Sequence, residues 1–291
     1  MHEKMPYLQP FVRSPQADDI VVLGSGRSGT TWLLEMLISL PGYRGVMEPF
    51  QPKNANHFPQ NPSYSRRYLR EGASEPQLEA YFQRLFQQEL DTDWWCAWPA
   101  YNRRPRRHQT VLKTIRGLLM VNWMKILPVR FIYLQREPVA TLGSWVRIGW
   151  GESVTDLAVF INQAELVEDH LQPVHHLLAR LQAEGSKFEQ AAACWWIENS
   201  VAQRTLPSES LRLRYEDLTN NREESLDRVC GFMGQERPQF LVSSSQRRSK
   251  TTVGVTRPNP DLEKSVRRTL DSLDELAAST VGSETADALE P

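Results

Sequence analysis

The residues that could do chemistry begin with Gly24-Ser-Gly-Arg-Ser-Gly-Thr-Thr31. The string follows a short apolar run, Ile20-Val-Val-Leu23, and precedes a segment that is apolar almost all round, Thr30 to Leu40. A turn so placed between a buried strand and a buried helix aims backbone N–H groups and a helix N-terminus at one point, which suits an anion. Gly24, Gly26 and Gly29 let oxygen atoms approach the backbone, Ser28, Thr30 and Thr31 add hydroxyl donors, and Arg27 adds a fixed positive charge. Which anion is left open by the loop alone. It satisfies G-x-G-x-x-G, and Glu48 stands 19 residues past Gly29, about where a ribose-binding acid is expected in a dinucleotide site. It also has the G-x-x-x-x-G frame of a nucleotide P-loop, but Thr30 occupies the position of the phosphate-binding Lys.

The positioning elements follow from pattern. Strands are expected at Ile20–Leu23, Thr110–Thr114, Arg130–Gln135 and Ser210–Tyr215, where β-branched and aromatic residues concentrate. Helical patterns over 30–40, 117–127, 138–148, parts of 154–182, 188–206 and 221–233 separate them. Alternation of this kind predicts an α/β fold, a three-layer α/β/α arrangement around a central, mostly parallel sheet. Residues 1–291 read as one domain. An insertion at about 51–108 holds a helix near 76–90, the cluster Trp94, Trp95 and Trp98, and the run Arg103, Arg104, Arg106 and Arg107. A frayed acidic tail is expected at about 280–291.

Composition narrows the class. The chain of 291 residues is 40% hydrophobic and 24% charged, which excludes collagen-like, disulfide-scaffold and wholly disordered classes. Net charge is -1, but residues 271–291 hold six acids and no Lys or Arg. The rest of the chain has 34 basic against 29 acidic residues, mildly positive, as suits an anionic ligand better than nucleic acid. No apolar run reaches the ~18 residues of a membrane span, and no secretory h-region opens the chain, so the expected location is cytoplasmic. Cys96, Cys194 and Cys230 lack metal-type spacing, and the His residues form no ligand set, so no metal is expected. Trp145, Trp150, Trp195 and Trp196 lie on helical patterns and read as core.

The string Gly-Arg-Ser-Gly-Thr-Thr-Trp-Leu33 resembles the 5′-phosphosulfate loop of sulfotransferases that use 3′-phosphoadenosine 5′-phosphosulfate (PAPS). The family's second motif is a strand, then Arg, a nearby Pro and a Ser eight residues after the Arg. Arg130-Phe-Ile-Tyr-Leu-Gln135, Arg136, Pro138 and Ser144 resemble it in each feature. A planar guanidinium fork and a neutral hydroxyl are apt donors for a phosphate. The resemblance covers most of residues 20–260 and implies a P-loop-like sulfotransferase fold with PAPS as co-substrate. It assigns Gly26, Arg27, Ser28, Gly29, Thr30 and Thr31 to the 5′ side and Arg136 and Ser144 to the 3′-phosphate. Leu211-Arg-Leu-Arg-Tyr-Glu-Asp-Leu218 is similar to a late family strand, which would set Tyr215 near the adenine. Lys250 and Arg257 fall where the family often closes a basic segment over the 3′-phosphate.

Sulfuryl transfer needs an in-line acceptor, charge stabilisation on the bridging oxygen and a base. The branch of the family with a His base has it after a strand Lys-Thr; in Val111-Leu-Lys-Thr-Ile-Arg116 that position is Ile115. Val46-Met-Glu-Pro-Phe50 resembles instead the Glu-Pro arrangement of the carbohydrate and tyrosyl-protein branch, so Glu48 is the expected general base. Lys113 and Arg27 would stabilise charge on the departing phosphate. The implied acceptor is a hydroxyl or amine of a small molecule or carbohydrate. A nucleotide phosphotransferase, a nicotinamide oxidoreductase and a non-catalytic nucleotide-binding module are the competing classes.

Overall fold

The computed structural model describes residues 19–40, 42–51, 58, 61–90, 109–149, 156–239, 241 and 260–287. Five strands, β1 (Asp19–Leu23), β2 (Tyr43–Met47), β3 (Gln109–Thr114), β4 (Val129–Gln135) and β5 (Leu211–Arg214), form one sheet in the order β2-β3-β1-β4-β5. Each pairing is parallel; Val22 lies between Lys113 on β3 and Ile132 on β4. Parallel strands need crossovers and bury both faces, which is why β1 and the middle of β4 read as continuous apolar runs.

Alternate residues of those runs serve opposite faces. Ile20, Val22, Val111, Ile132, Leu134 and Leu213 pack with helices α1 (Thr30–Leu37) and α7 (Arg222–Phe232). Val21, Leu23, Val46, Leu112, Phe131 and Tyr133 pack on the other side with Trp123 and α2 (Pro76–Phe86), which contributes Leu78, Tyr81, Phe82 and Leu85. Part of the expected insertion therefore builds the core. A third apolar cluster joins α3 (Pro138–Arg147), α4 (His175–Glu184), α5 (Lys187–Thr205) and α8 (Pro260–Asp287), and contains Trp145, Trp195 and Trp196. A capping box of Ser186 and Glu189 starts α5.

Several sequence expectations change in detail. Strand β2 was hidden by Arg44 and Gly45, which interrupt its apolar pattern. As an edge strand it tolerates Arg44, whose guanidinium donates to Thr110 Oγ1 at 3.1 Å and to the Leu85 carbonyl. Gly45 is packed so closely that a Cβ would lie 3.0 Å from Ile38. The expected helix over 117–127 is a 3₁₀ turn, Leu118–Met120, followed by a short helix, Val121–Met124. Strand β5 stops at Arg214, so Tyr215 opens helix α6 (Tyr215–Asn220) instead of ending a strand. Helix α8 continues to Asp287, into the stretch expected as a frayed tail. Lys250, Arg257, Trp150, and the Trp94–Trp98 and Arg103–Arg107 clusters lie outside the described residues.

Leu112 is fully buried at the centre of β3. Leu112→Ala is expected to cost about 2–5 kcal/mol through lost transfer energy and a residual cavity, read as a lowered midpoint in urea unfolding.

Candidate active site

The order of the sheet places the switch point of an open α/β fold at the carboxyl end of β1, with β3 on one side and β4 on the other. Loop Gly24–Gly29 leaves β1 there and turns into α1 through Gly29, which adopts φ 94°. Glycine is required at that position on two counts. The left-handed conformation disfavours a side chain, and a Cβ would lie 2.5 Å from the Tyr215 ring. No side chain caps α1 at Gly29, so its first N–H groups, which have no intrahelical partner, receive no side-chain cap from that residue.

The two distant motifs meet. Arg27 donates from Nε to Ser144 Oγ at 3.1 Å, across 117 residues of sequence. Arg136 donates from Nη1 to the Arg27 carbonyl at 3.0 Å, and Trp145 Nε1 donates to the Gly26 carbonyl at 2.7 Å. The elements explain the placement. Arg136 follows the last residue of β4, Pro138 opens α3 with its φ preset, Glu137 caps it by accepting from the Ala140 N–H, and Ser144 comes two turns later. The Arg136 guanidinium also lies 4.5 Å from the centre of the Tyr215 ring, which meets Trp32 edge-on at 5.9 Å. Arg27, Gly29, Arg136, Ser144 and Tyr215 thus share one corner of the protein.

That corner is built for negative charge. Burial lowers the Arg27 pKa from its ordinary value, and the nearby charges of Arg136 and Arg147 lower it further. Ser28 Oγ and Arg136 Nε are buried without a hydrogen-bond partner among the described residues. Buried donors left unmatched are costly, and a phosphate oxygen is the acceptor that would satisfy both kinds. Thr30 is buried at the start of α1, while Thr31 is half-buried beside it. The residues present therefore fit a phosphate-bearing nucleotide.

On the other side of the switch point, Glu48 ends β2 with φ 55°, and its N–H bonds to the Lys113 carbonyl at 2.7 Å. The turn sends its carboxylate beneath the end of β3. Oε1 accepts from Lys113 Nζ at 2.5 Å and from the Ile115 N–H at 3.0 Å, and Oε2 accepts from Arg116 Nη1 at 3.1 Å. Glu48 and Lys113 are both buried. A second pair, of half-buried Arg66 and buried Glu198, supports this one. Arg66, itself at φ 61°, gives its N–H to the Arg116 carbonyl at 2.9 Å, and its Nε pairs with Glu198 Oε1 at 2.7 Å. Burial opposes the Arg66 charge, but Glu198 more than offsets it, and the Arg66 pKa is raised. Three non-glycine residues of the region, Arg27, Glu48 and Arg66, hold left-handed backbone conformations, a strain that surrounding contacts must sustain.

Sequence reasoning did not single out Arg66, Arg116 or Glu198. Glu198 and Asn199 were detectable, since they are polar residues within the apolar stretch Ala191 to Ala202 of α5. Arg66 and Arg67 offered no comparable signal. Arg66 also lines an open cleft of about 420 Å³ with Ser63, Ser65, Tyr68, Gln163 and Glu165. Among the described residues, no group of three or more His, Cys, Asp or Glu could hold a metal, and no helix is long and apolar enough to cross a membrane.

Comparisons with known proteins give the following. No match to the chain is found among curated protein sequences. A sulfotransferase domain from the curacin biosynthetic pathway is similar in structure, with 18% identity over 92% of this chain and 99% of that one, and a TM-score of 0.46. A sulfotransferase from Alicyclobacillus acidocaldarius is 12% identical over 91% and 96% of the two chains, with a TM-score of 0.43. A mouse sulfotransferase complexed with PAP is 14% identical over 90% and 89%, with a TM-score of 0.43. The model of the sulfotransferase family matches residues 19–239, which span the sheet, the loop after β1 and the Arg136–Ser144 segment. This chain belongs to the sulfotransferase family, and its class of chemistry is sulfuryl transfer.

Proposed function

We propose that the protein transfers the sulfuryl group of PAPS to a hydroxyl or amine of a small-molecule or carbohydrate acceptor, releasing adenosine 3′,5′-bisphosphate (PAP). The observation that carries the reading is the meeting of the two motifs, with Arg27 bonded to Ser144 and Arg136 bonded to the Arg27 carbonyl. A mononucleotide needs only the loop after β1. A second basic grip within hydrogen-bond reach of that loop suits a 3′-phosphate, and it favours PAPS over ATP or NAD.

In this reading the loop Gly26 to Thr31, through the N–H groups at the start of α1 and the Ser28 hydroxyl, holds the 5′-phosphosulfate. Arg136 and Ser144 hold the 3′-phosphate, and Tyr215 lies against the adenosine. Lys250 and Arg257 remain candidates for closing over the nucleotide. Glu48 takes the proton of the attacking acceptor. Its carboxylate is held by Lys113, Ile115 and Arg116, so one donor must give way for the acceptor to reach it. Lys113 is the donor free to swing on a flexible stem, and the negative charge growing on the departing phosphate is a competing partner for its ammonium. Its release would free one acceptor site on Oε1, which keeps the Ile115 N–H, as charge develops on the bridging oxygen, where Lys113 and Arg27 act electrostatically.

PAP should raise the thermal midpoint far more than AMP does, because each charge-assisted bond to the missing 3′-phosphate is worth about 1.5–3 kcal/mol. Equal shifts in a thermal-shift titration would remove Arg136 and Ser144 from the nucleotide site. Glu48→Gln should lower kcat by about 100-fold or more, a typical contribution of a positioned base, with the dissociation constant of PAP nearly unchanged. Full turnover by that variant would place the base elsewhere.

A further inference from the structure

Asn199 lies on α5, remote in sequence from both nucleotide motifs, and is buried, as is Ser25 in the loop after β1. Its Nδ2 donates to Ser25 Oγ at 2.7 Å and to the Trp195 carbonyl at 2.6 Å, and its Oδ1 accepts from the Tyr133 hydroxyl at 2.6 Å. The Trp195 carbonyl can only accept, which fixes the direction of the amide: Nδ2 must face it. Both Nδ2 hydrogens are thereby used, one on its own helix and one on the loop. Ser25 is also the hinge of the turn, because its carbonyl accepts from the Ser28 N–H at 3.1 Å. One side chain therefore ties α5, β4 and the loop together.

We propose that Asn199 is a positioning residue that fixes the phosphate loop through Ser25 before any ligand arrives. The inference rests on the nucleotide reading above only for the identity of the ligand. A flexible glycine-rich loop would lose conformational freedom on binding an anion; ordering it in advance removes that cost from binding. Gly26 and Arg27 are pinned by their carbonyls from the α3 side, and Ser25 is pinned by its hydroxyl from the α5 side. The loop is thus held from both flanks, with the Ser28 N–H closing its turn onto the Ser25 carbonyl.

The test combines hydrogen exchange of the free protein with PAP titration for wild type, Asn199→Ala, Ser25→Ala and the double variant. Asn199→Ala is expected to speed exchange of the amides of residues 25–31 and weaken PAP binding about 5- to 10-fold, the size of one lost buried hydrogen bond. Ser25→Ala should do the same, and the double variant should be no worse than Asn199→Ala, which already removes the Ser25 bond along with those to Trp195 and Tyr133. If Asn199→Ala is too unstable to purify, Ser25→Ala alone decides the exchange arm. Unchanged loop exchange and PAP affinity, with only a lowered thermal midpoint, would reduce Asn199 to core packing and overturn the proposal. Failure of wild type to bind PAP would instead overturn the nucleotide reading, while loop exchange would still decide the role of Asn199.

Discussion

Like charges forced together are the constraint on which the site depends. Arg27 and Arg136 converge beside the loop after β1, and Arg147 is near enough to depress the Arg27 pKa along with them. Such an arrangement costs folding energy wherever no anion compensates it, so it must be held by structure that gains elsewhere. Here the holding comes from hydrogen bonds to loop carbonyls, from the Tyr215 ring beneath Arg136 and from the apolar packing of α1 and α3. The same repulsion becomes attraction for a polyanionic ligand. In the nucleotide reading, stability given up in the empty protein would be returned on binding.

Glu48 presents the complementary problem, a carboxylate taken out of water. Burying a charge is tolerated only when partners are close and well aligned. Lys113, Arg116 and the Ile115 N–H supply them, and the Arg66–Glu198 pair holds the Arg116 backbone in place. The two sides of the candidate site share α5: Glu198 reaches toward Glu48 through Arg66, and the next residue, Asn199, reaches the loop after β1. The helix also meets the sheet, with Ala202 and Tyr133 in one apolar cluster.

The legible parts of the sequence were those in which one local rule dominates. Ile20–Leu23 reads as a buried strand, and the glycines and Arg27 after it read as a tight polar turn. Pro138 and Glu137 signal a helix start, which fixes Ser144 two turns beyond Arg136. Strand β2 was not legible because an edge strand gets its register from its neighbour β3 and admits Arg44 and Gly45. The broken helical path from Ala158 to Val174 was foreseen only as helical in parts, since where Pro173 and a π-helical turn interrupt it depends on packing against α4 and α5. Glu198 and Arg66 pair across 132 residues, a contact that no local pattern encodes.

The most direct measurement is a crystal structure of the protein with PAP. The expected electron density has the 5′-phosphate against the loop Gly26–Thr31, with the 3′-phosphate on Arg136 and Ser144 in place of the Arg27–Ser144 hydrogen bond. Nucleotide bound away from the loop after β1, or seated there with its 3′-phosphate in solvent and that hydrogen bond intact, would contradict a two-ended grip on one molecule.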